Sequence, residues 1–395
     1  MIVRRDGDGW HLGEPAGAPW LVGIVEGAGA TLWWPVEGGA PGALVWDAPR
    51  ASGWIDAVWP GTTATLAEAG AFGAVSGARV ADEAAGAGER GAAPDAAARG
   101  AGGAAGADAG APGSDSGGRG AEERDGERPY GSGTPLADAA RRAALAGWRA
   151  AWWPASRVAG IPALDPRLVA AELAVARAEL DGALDDEDAA ARALAGFSAA
   201  VARFGEIEPG DGTGADLAAR AAELLAEHGA ELPGPALAET RADDFALAAA
   251  GRAAPAPLAA GESPVDPASL PQGVVDPAGV VAWSVAIGAG GAVLSVAVPA
   301  APQFGDAAPP AADLRARVAD AEVPLARGGD AWGGEASVPP TFLALPPERR
   351  AAALTVVGFD PAAREPGGRG VADDLIRIAH ARLAAPESAS EREAR

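Results

Sequence analysis

The sequence predicts an α+β multidomain protein that combines a Trp-rich antiparallel β module, an α-helical bundle and a β-sandwich-like module with a terminal helix. Three observations lead to this prediction. Short apolar runs separated by glycine turns fill residues 1–80, apolar residues at helical spacing fill residues 134–252, and alternating patterns return over residues 280–385. A chain of 395 residues is long enough for two or three such domains.

The Trp-rich β module, residues 1–80, is predicted from four short runs of Trp, Val, Ile and Leu. The runs start about every 10–12 residues, the rhythm of an antiparallel meander, and they cover residues 20–25, 31–36, 43–47 and 54–59. Pro35 lies inside the second run. Because proline within sheets is largely confined to edge strands, this run is predicted to lie at a sheet edge.

Residues 81–133 differ sharply from the module before them. They contain no Val, Leu, Ile, Met, Phe or Trp, and Tyr130 is their one aromatic residue. Such a segment cannot bury enough apolar surface to offset the conformational entropy lost on ordering. We therefore predict a disordered acidic linker rich in Gly and Ala.

Residues 134–252 are predicted to form the α-helical domain. Thr134 and Pro135 suit the start of a first helix that ends at Pro154, and Asp165 followed by Pro166 suits the start of a second. Further helical patterns cover residues 186–204, 217–228 and 235–250. Together these patterns outline a helical bundle.

Residues 253–279 hold six prolines and are predicted to be a second, Pro-rich linker. Residues 280–385 then predict a β-sandwich-like module of about six strands with two hairpins, closed by a helix over residues 371–385. The tail, residues 386–395, is expected to fray. One alternative stays open, in which both β regions pair into a single sandwich and the segments between them form an insertion.

Composition excludes several chemistries. All 31 basic residues are arginine, so the chain has no lysine for a Schiff base or a P-loop. It has no cysteine for disulfides, thiolate nucleophiles or thiolate metal sites. The heavy use of Ala, Gly and Arg suggests a GC-rich bacterial genome.

The net charge of −23 is spread along the chain, and it argues against binding to nucleic acid or to an anionic membrane surface. Such a charge favours solubility or a basic partner. The first residues lack the apolar stretch of a secretory signal, and no run is long enough to span a membrane. A cytoplasmic protein is therefore expected.

Two groups of aromatic residues are candidate interaction sites. Trp33 and Trp34 are adjacent in a predicted strand and point to opposite faces, so at most one of them is core unless both faces are covered. Trp152, Trp153 and Arg157 have the residue types of a protein-binding hot spot. Aromatic residues at helical spacing usually pack in a core, and we favour that interpretation for this second group.

The preferred function is a non-enzymatic binding or adaptor protein that recognises another protein. Reactive side chains are scarce, and the three histidines lack metal-site spacing, so no metal or cofactor is expected. Trp-rich hairpins on a flexible tether suit recognition. Two alternatives stay open, a structural subunit of an assembly and a hydrolase that uses carboxylates brought together between modules, such as Asp243 or Asp244 with Glu206 or Glu208.

Overall fold

The computed structural model describes residues 3–6, 9–72, 134–184, 193, 212–227, 257–288, 290–305, 307–361 and 368–395. The predicted linker 81–133 lies outside the described residues. So do the predicted helix over 235–250 and all but one residue of the helix predicted over 186–204. Helices and antiparallel sheets are both present, so the α+β class is confirmed.

The first sheet has five antiparallel strands in the order β1-β2-β5-β4-β3. They are β1 (Val3–Asp6), β2 (Gly9–Leu12), β3 (Val22–Gly27), β4 (Ala30–Pro35) and β5 (Gly42–Val45). The edge prediction for the Pro35 strand is wrong, because β4 lies between β3 and β5. Pro35 is tolerated there because β5 pairs only with residues 30–33 of β4, so the proline lies beyond that ladder.

The strand prediction for residues 54–59 is also wrong, because most of them belong to helix α1 (Ala48–Val58). The Asp47 carboxylate accepts a hydrogen bond from the Arg50 amide at 3.3 Å and caps this helix. The buried side chains follow helical spacing at Ala51, Trp54, Ile55 and Val58. The tryptophans that suggested a strand therefore form the apolar face of a helix.

The next helices are α2 (Thr62–Glu68), α3 (Pro135–Trp152), α4 (Pro166–Ala183) and α5 (Gly212–Glu227). Helix α3 crosses β3 at close range, since a Cβ on Gly23 would lie 2.7 Å from the Ala144 carbonyl oxygen. One hydrophobic core contains residues of the five-stranded sheet and of α1, α2, α3 and α4. The five-stranded sheet and helices α1 to α4 therefore share a core, because the alanines of α3 allow this close approach.

The second sheet has seven antiparallel strands in the order β12-β9-β10-β11-β8-β7-β6. They are β6 (Ala259–Pro264), β7 (Val280–Gly288), β8 (Gly291–Pro299), β9 (Leu314–Val318), β10 (Ala321–Gly328), β11 (Ala331–Val338) and β12 (Ala352–Val356). The sheet curls around its own core. Its two edges meet where the Ala352 amide donates a hydrogen bond to Ser263 Oγ at 2.8 Å.

Three predictions for the β regions are corrected here. The seven strands form one curled sheet and not two separate stacked sheets, because β10 joins its two parts by pairing with β9 over residues 321–325 and with β11 over residues 326–328. Residues 253–279, predicted as a linker, contribute β6, whose edge position tolerates Pro264. The described strands of the two sheets share no ladder and contribute to separate hydrophobic cores, so this part of the chain does not form the shared sandwich.

Two more helices complete the described fold, α6 (Gly368–Ala384) and α7 (Ala389–Glu393). Helix α6 shares a hydrophobic cluster with Trp148 and Trp153, at the corner between α3 and α4. The fraying prediction for residues 386–395 is wrong, because α7 buries Ser390 and Glu391 completely. Within the described ranges, no helix is long and apolar enough to cross a lipid bilayer.

Candidate functional site

Trp33 and Trp34 are both buried, because both faces of β4 are covered. Trp34 belongs to the core between the five-stranded sheet and the helices. On the opposite face, the His11 ring lies 6.4 Å from the Trp33 ring. A Cβ on Gly42 would lie 2.4 Å from the nearest atom of the Trp33 ring. Neither tryptophan presents a surface to a partner, and the exposed indole of this region is that of Trp46.

Trp152 and Trp153 lie at the corner where α3 ends. The Trp153 indole is buried and donates a hydrogen bond to the Pro162 carbonyl oxygen at 2.9 Å, and the Trp148 ring packs against it edge-on at 6.4 Å. Trp152 is partly buried and packs edge-on against Trp20. The structure therefore places this pair where the packing interpretation expects it.

Arg157 follows the corner and is half exposed, with an ion pair of 2.7 Å to the exposed Asp330. Its backbone amide donates to Asp276, a carboxylate that is 0% exposed. Asp276 also accepts hydrogen bonds from Ser156 Oγ at 2.6 Å and from the amides of Val158 and Ala278. This buried carboxylate ties the α3–α4 corner to the loop before β7.

A cleft of about 410 Å³ lies between α3, α4, α5 and the residues around α7, and we call it the arginine cleft. The guanidinium groups that line it are those of Arg141, Arg142, Arg149, Arg220, Arg382 and Arg392. Its lining carboxylates are those of Glu172, Glu179, Asp216 and Glu387. With Glu391, which lies beneath this lining, five carboxylates face the six guanidinium groups, so the cleft concentrates arginine in a chain whose net charge is −23.

The floor of the arginine cleft is a buried ion-pair network. Arg149 and Arg382 are 5% and 7% exposed, and both contact Glu391, which is 0% exposed. Arg149 also pairs with Glu172 at 2.9 Å. Arg382 pairs with Glu391 through its Nε and, at 3.2 Å, through its Nη2. Charges this deeply buried are stable only when each has close partners, as they have here.

The pKa of Glu391 reflects the balance within this floor. Burial by itself would raise the pKa of this carboxyl, but the hydrogen bond and charge of Arg382, with the charge of Arg149, hold it below the ordinary value. Burial likewise opposes the charge of Arg382, yet Glu391 and Glu387 hold the pKa of its guanidinium above the ordinary value. The floor therefore keeps its charges at neutral pH.

The rim of the arginine cleft consists of half-exposed arginines. Arg142 and Arg220 share Glu179, at 2.7 and 2.8 Å, and Arg141 pairs with Glu387 at 3.1 Å. Burial would raise the pKa of Glu179, but hydrogen bonds from Arg220 and Arg142 outweigh it, and the pKa lies below the ordinary value. Carboxylates from elsewhere can compete for such exposed guanidinium groups.

Two cationic groups of the cleft are incompletely satisfied within the part of the chain that the structure describes. Arg392 donates to the Glu387 carbonyl oxygen at 3.4 Å and has no described carboxylate within ion-pair distance. The Nε of Arg149 is buried and has no described hydrogen-bond partner. Because guanidinium groups bind carboxylates and phosphates in forked geometry, these groups favour an anionic ligand.

Sequence reasoning missed this cleft. Arg142 and Arg149 have the i, i+7 spacing of one helix face, which was the available signal. Their partners Glu179 and Glu391 lie 37 and 242 residues away along the chain, so the pairing depends on the tertiary fold. The carboxylates of the hydrolase alternative, at 206, 208, 243 and 244, lie outside the described residues.

Comparison with known proteins finds no relative of this chain. No protein-family model, curated protein or solved structure matches the chain. Across the described segments, no three His, Asp or Glu side chains are grouped so that they could hold a metal ion.

Proposed function

We propose that the protein is a non-enzymatic binding protein that recognises an acidic segment of another protein through the arginine cleft. The observation that carries this proposal is the convergence of six arginines from separate helices on one cleft, in a chain whose net charge is −23. Arginine is the residue best suited to bidentate recognition of carboxylates.

The rim explains how a partner gains access. Its arginines, Arg141, Arg142 and Arg220, are 41–54% exposed, and the pair that Arg141 forms with the half-exposed Glu387 contributes only about 0–1 kcal/mol. A partner carboxylate can therefore replace an internal one at little cost. Arg392 offers a further guanidinium group that pairs with no described carboxylate.

The cleft also favours a peptide segment over a small anion. Residues of the chain's own 386–395 segment already form one side of the cleft. A volume of about 410 Å³ holds a few side chains of a peptide, within the size range of ligand pockets. The structural-subunit alternative and the hydrolase alternative have no comparable support in the described residues.

The proposal is tested by titrating the full chain with a glutamate-rich decapeptide and, separately, with a lysine-rich decapeptide. We expect the glutamate peptide to bind and the lysine peptide not to bind. Arg142→Gln with Arg220→Gln should weaken binding about tenfold or more, the equivalent of losing at least about 1.4 kcal/mol.

The matched control is Arg177→Gln with Arg317→Gln, which removes the same charge. Neither residue lines the arginine cleft, and Arg317 is exposed on β9. If the control weakens binding as much as the rim variant does, the cleft is not the site. If the lysine peptide binds instead, the general acidic surface recognises a basic partner and the proposal is wrong.

A further inference from the structure

The 386–395 segment contributes residues to the lining and to the floor of the arginine cleft. Glu387, Ser388, Ala389 and Arg392 line the cleft. Glu391, from the same segment, lies beneath them and is the buried carboxylate of the floor. The chain therefore already places one glutamate of its own, Glu391, in the floor of this cleft.

The segment presents Glu391 through a capping box at the start of α7. Ser388 Oγ accepts a hydrogen bond from the Glu391 amide at 3.3 Å. In return, the Glu391 carboxylate accepts the amides of Ser388 at 3.2 Å and of Glu387 at 2.9 Å. This Ser-x-x-Glu turn fixes the carboxylate where Arg149 and Arg382 bind it.

The attachments of the segment are mostly polar. Ser390 donates through its amide and its hydroxyl to Glu172, at 2.9 and 2.8 Å. Ala389, which is 7% exposed, is its one buried apolar residue, and α7 has only five residues, too few to be stable alone. Polar contacts of this kind can be reproduced by another segment with the same turn.

We infer that the floor of the arginine cleft is a glutamate-recognition site, which takes a Ser-x-x-Glu turn and is held in the free protein by the chain's own Glu391. An acidic partner segment of this type binds by displacing residues 386–395. The inference rests on the proposed function and deepens it, since it names the form of the ligand and the contact that restrains its binding.

The test uses the full chain and a fluorescently labelled peptide with the sequence of residues 386–395, followed by anisotropy. Glu391→Gln weakens the internal contact with little change in side-chain shape, so this variant should bind the peptide about tenfold or more tighter than the wild type. Glu393→Gln changes an exposed glutamate of the same helix and should bind the peptide as the wild type does. A peptide with Gln in place of Glu391 should not bind.

Circular dichroism establishes that the variants are folded. If Glu391→Gln is not, Ser390→Ala replaces it, since it removes the hydroxyl contact to Glu172 without a change of charge. The inference would be overturned if the folded variant, Glu391→Gln or its replacement Ser390→Ala, bound the peptide no more tightly than Glu393→Gln does. The segment would then be a permanent part of the core.

The two proposals fail in distinguishable ways. If the 386–395 peptide binds Glu391→Gln, or its replacement Ser390→Ala, but the glutamate-rich decapeptide does not bind the wild type, the glutamate-recognition site stands and the proposed function is wrong. If the decapeptide binds the wild type and the 386–395 peptide shows no preference for Glu391→Gln or Ser390→Ala over the wild type, the proposed function stands. The inference that a partner displaces residues 386–395 is then wrong.

Discussion

In the floor of the arginine cleft Arg382 and Glu391 are almost fully buried, whereas in the rim Arg141 and Glu387 are both about half exposed. The chemical pair is the same, but removing one partner of a buried pair leaves an uncompensated charge away from water. An exposed charge is simply solvated when its partner leaves. The floor therefore requires a carboxylate on Arg149 and Arg382, either Glu391 or one that replaces it, whereas the rim can lose or exchange a partner at little cost.

The largest effect is expected from Arg382→Met, which leaves Glu391 with Arg149 as its remaining cationic contact, at 3.5 Å. This substitution should lower the free energy of unfolding by about 3–5 kcal/mol, measured by urea denaturation. Arg141→Met in the rim is the control and should cost less than about 1 kcal/mol. Equal losses from the two substitutions would remove the distinction between floor and rim.

A second buried carboxylate extends the comparison to a site without cations. Asp276 accepts its hydrogen bonds from one hydroxyl and from backbone amides. Asp276→Ala leaves these buried donors unsatisfied and should cost about 2–3 kcal/mol. Asp330→Ala, which removes the exposed partner of Arg157, should cost less than about 1 kcal/mol. A thermal melt unchanged by Asp276→Ala would show that the corner is not tied by this carboxylate.

Local patterns in the sequence predicted much of the fold. The β7–β8 and β10–β11 hairpins follow from alternating apolar residues, and the starts of α3 and α4 follow from Thr134 and Asp165. The strand prediction for residues 54–59 failed because six positions with two tryptophans carry little periodicity, and because the prediction did not use the helix cap at Asp47.

The arginine cleft could not be predicted, because its lining residues come from five helices that span residues 135 to 393 of the sequence. The burial of Ser390 and Glu391 was hidden for the same reason. The stretch from 386 to 395 is polar and typical of a solvent-exposed tail, whereas in the structure its residues contact Glu172, Arg149 and Arg382.

A third prediction uses pH to test the floor of the arginine cleft. The pKa of Glu391 is lower in the folded protein than its ordinary value of 4.5, so its ionised form stabilises the fold above that pH. This contribution is lost as the pH falls through the folded pKa. The difference in free energy of unfolding between the wild type and Glu391→Gln should therefore be larger at neutral pH than in acid. Urea denaturation at several pH values measures it, and a constant difference would contradict the assignment.

The smallest effect is expected at the rim. Glu179→Gln leaves Arg142 and Arg220 half exposed and solvated, so the free energy of unfolding should fall by less than about 1 kcal/mol. The same denaturation series measures this value. A loss comparable to that of Arg382→Met would mean that the rim also holds the fold and is not free to exchange partners.

Hydrogen–deuterium exchange of the full chain, with and without the glutamate-rich decapeptide, tests the central claim most directly. The account predicts slower exchange in α3 and α5 beside the rim, faster exchange in residues 386–395, and no change in the seven-stranded sheet. Protection confined to either sheet, or no change around the arginine cleft under conditions where the peptide binds, would contradict it.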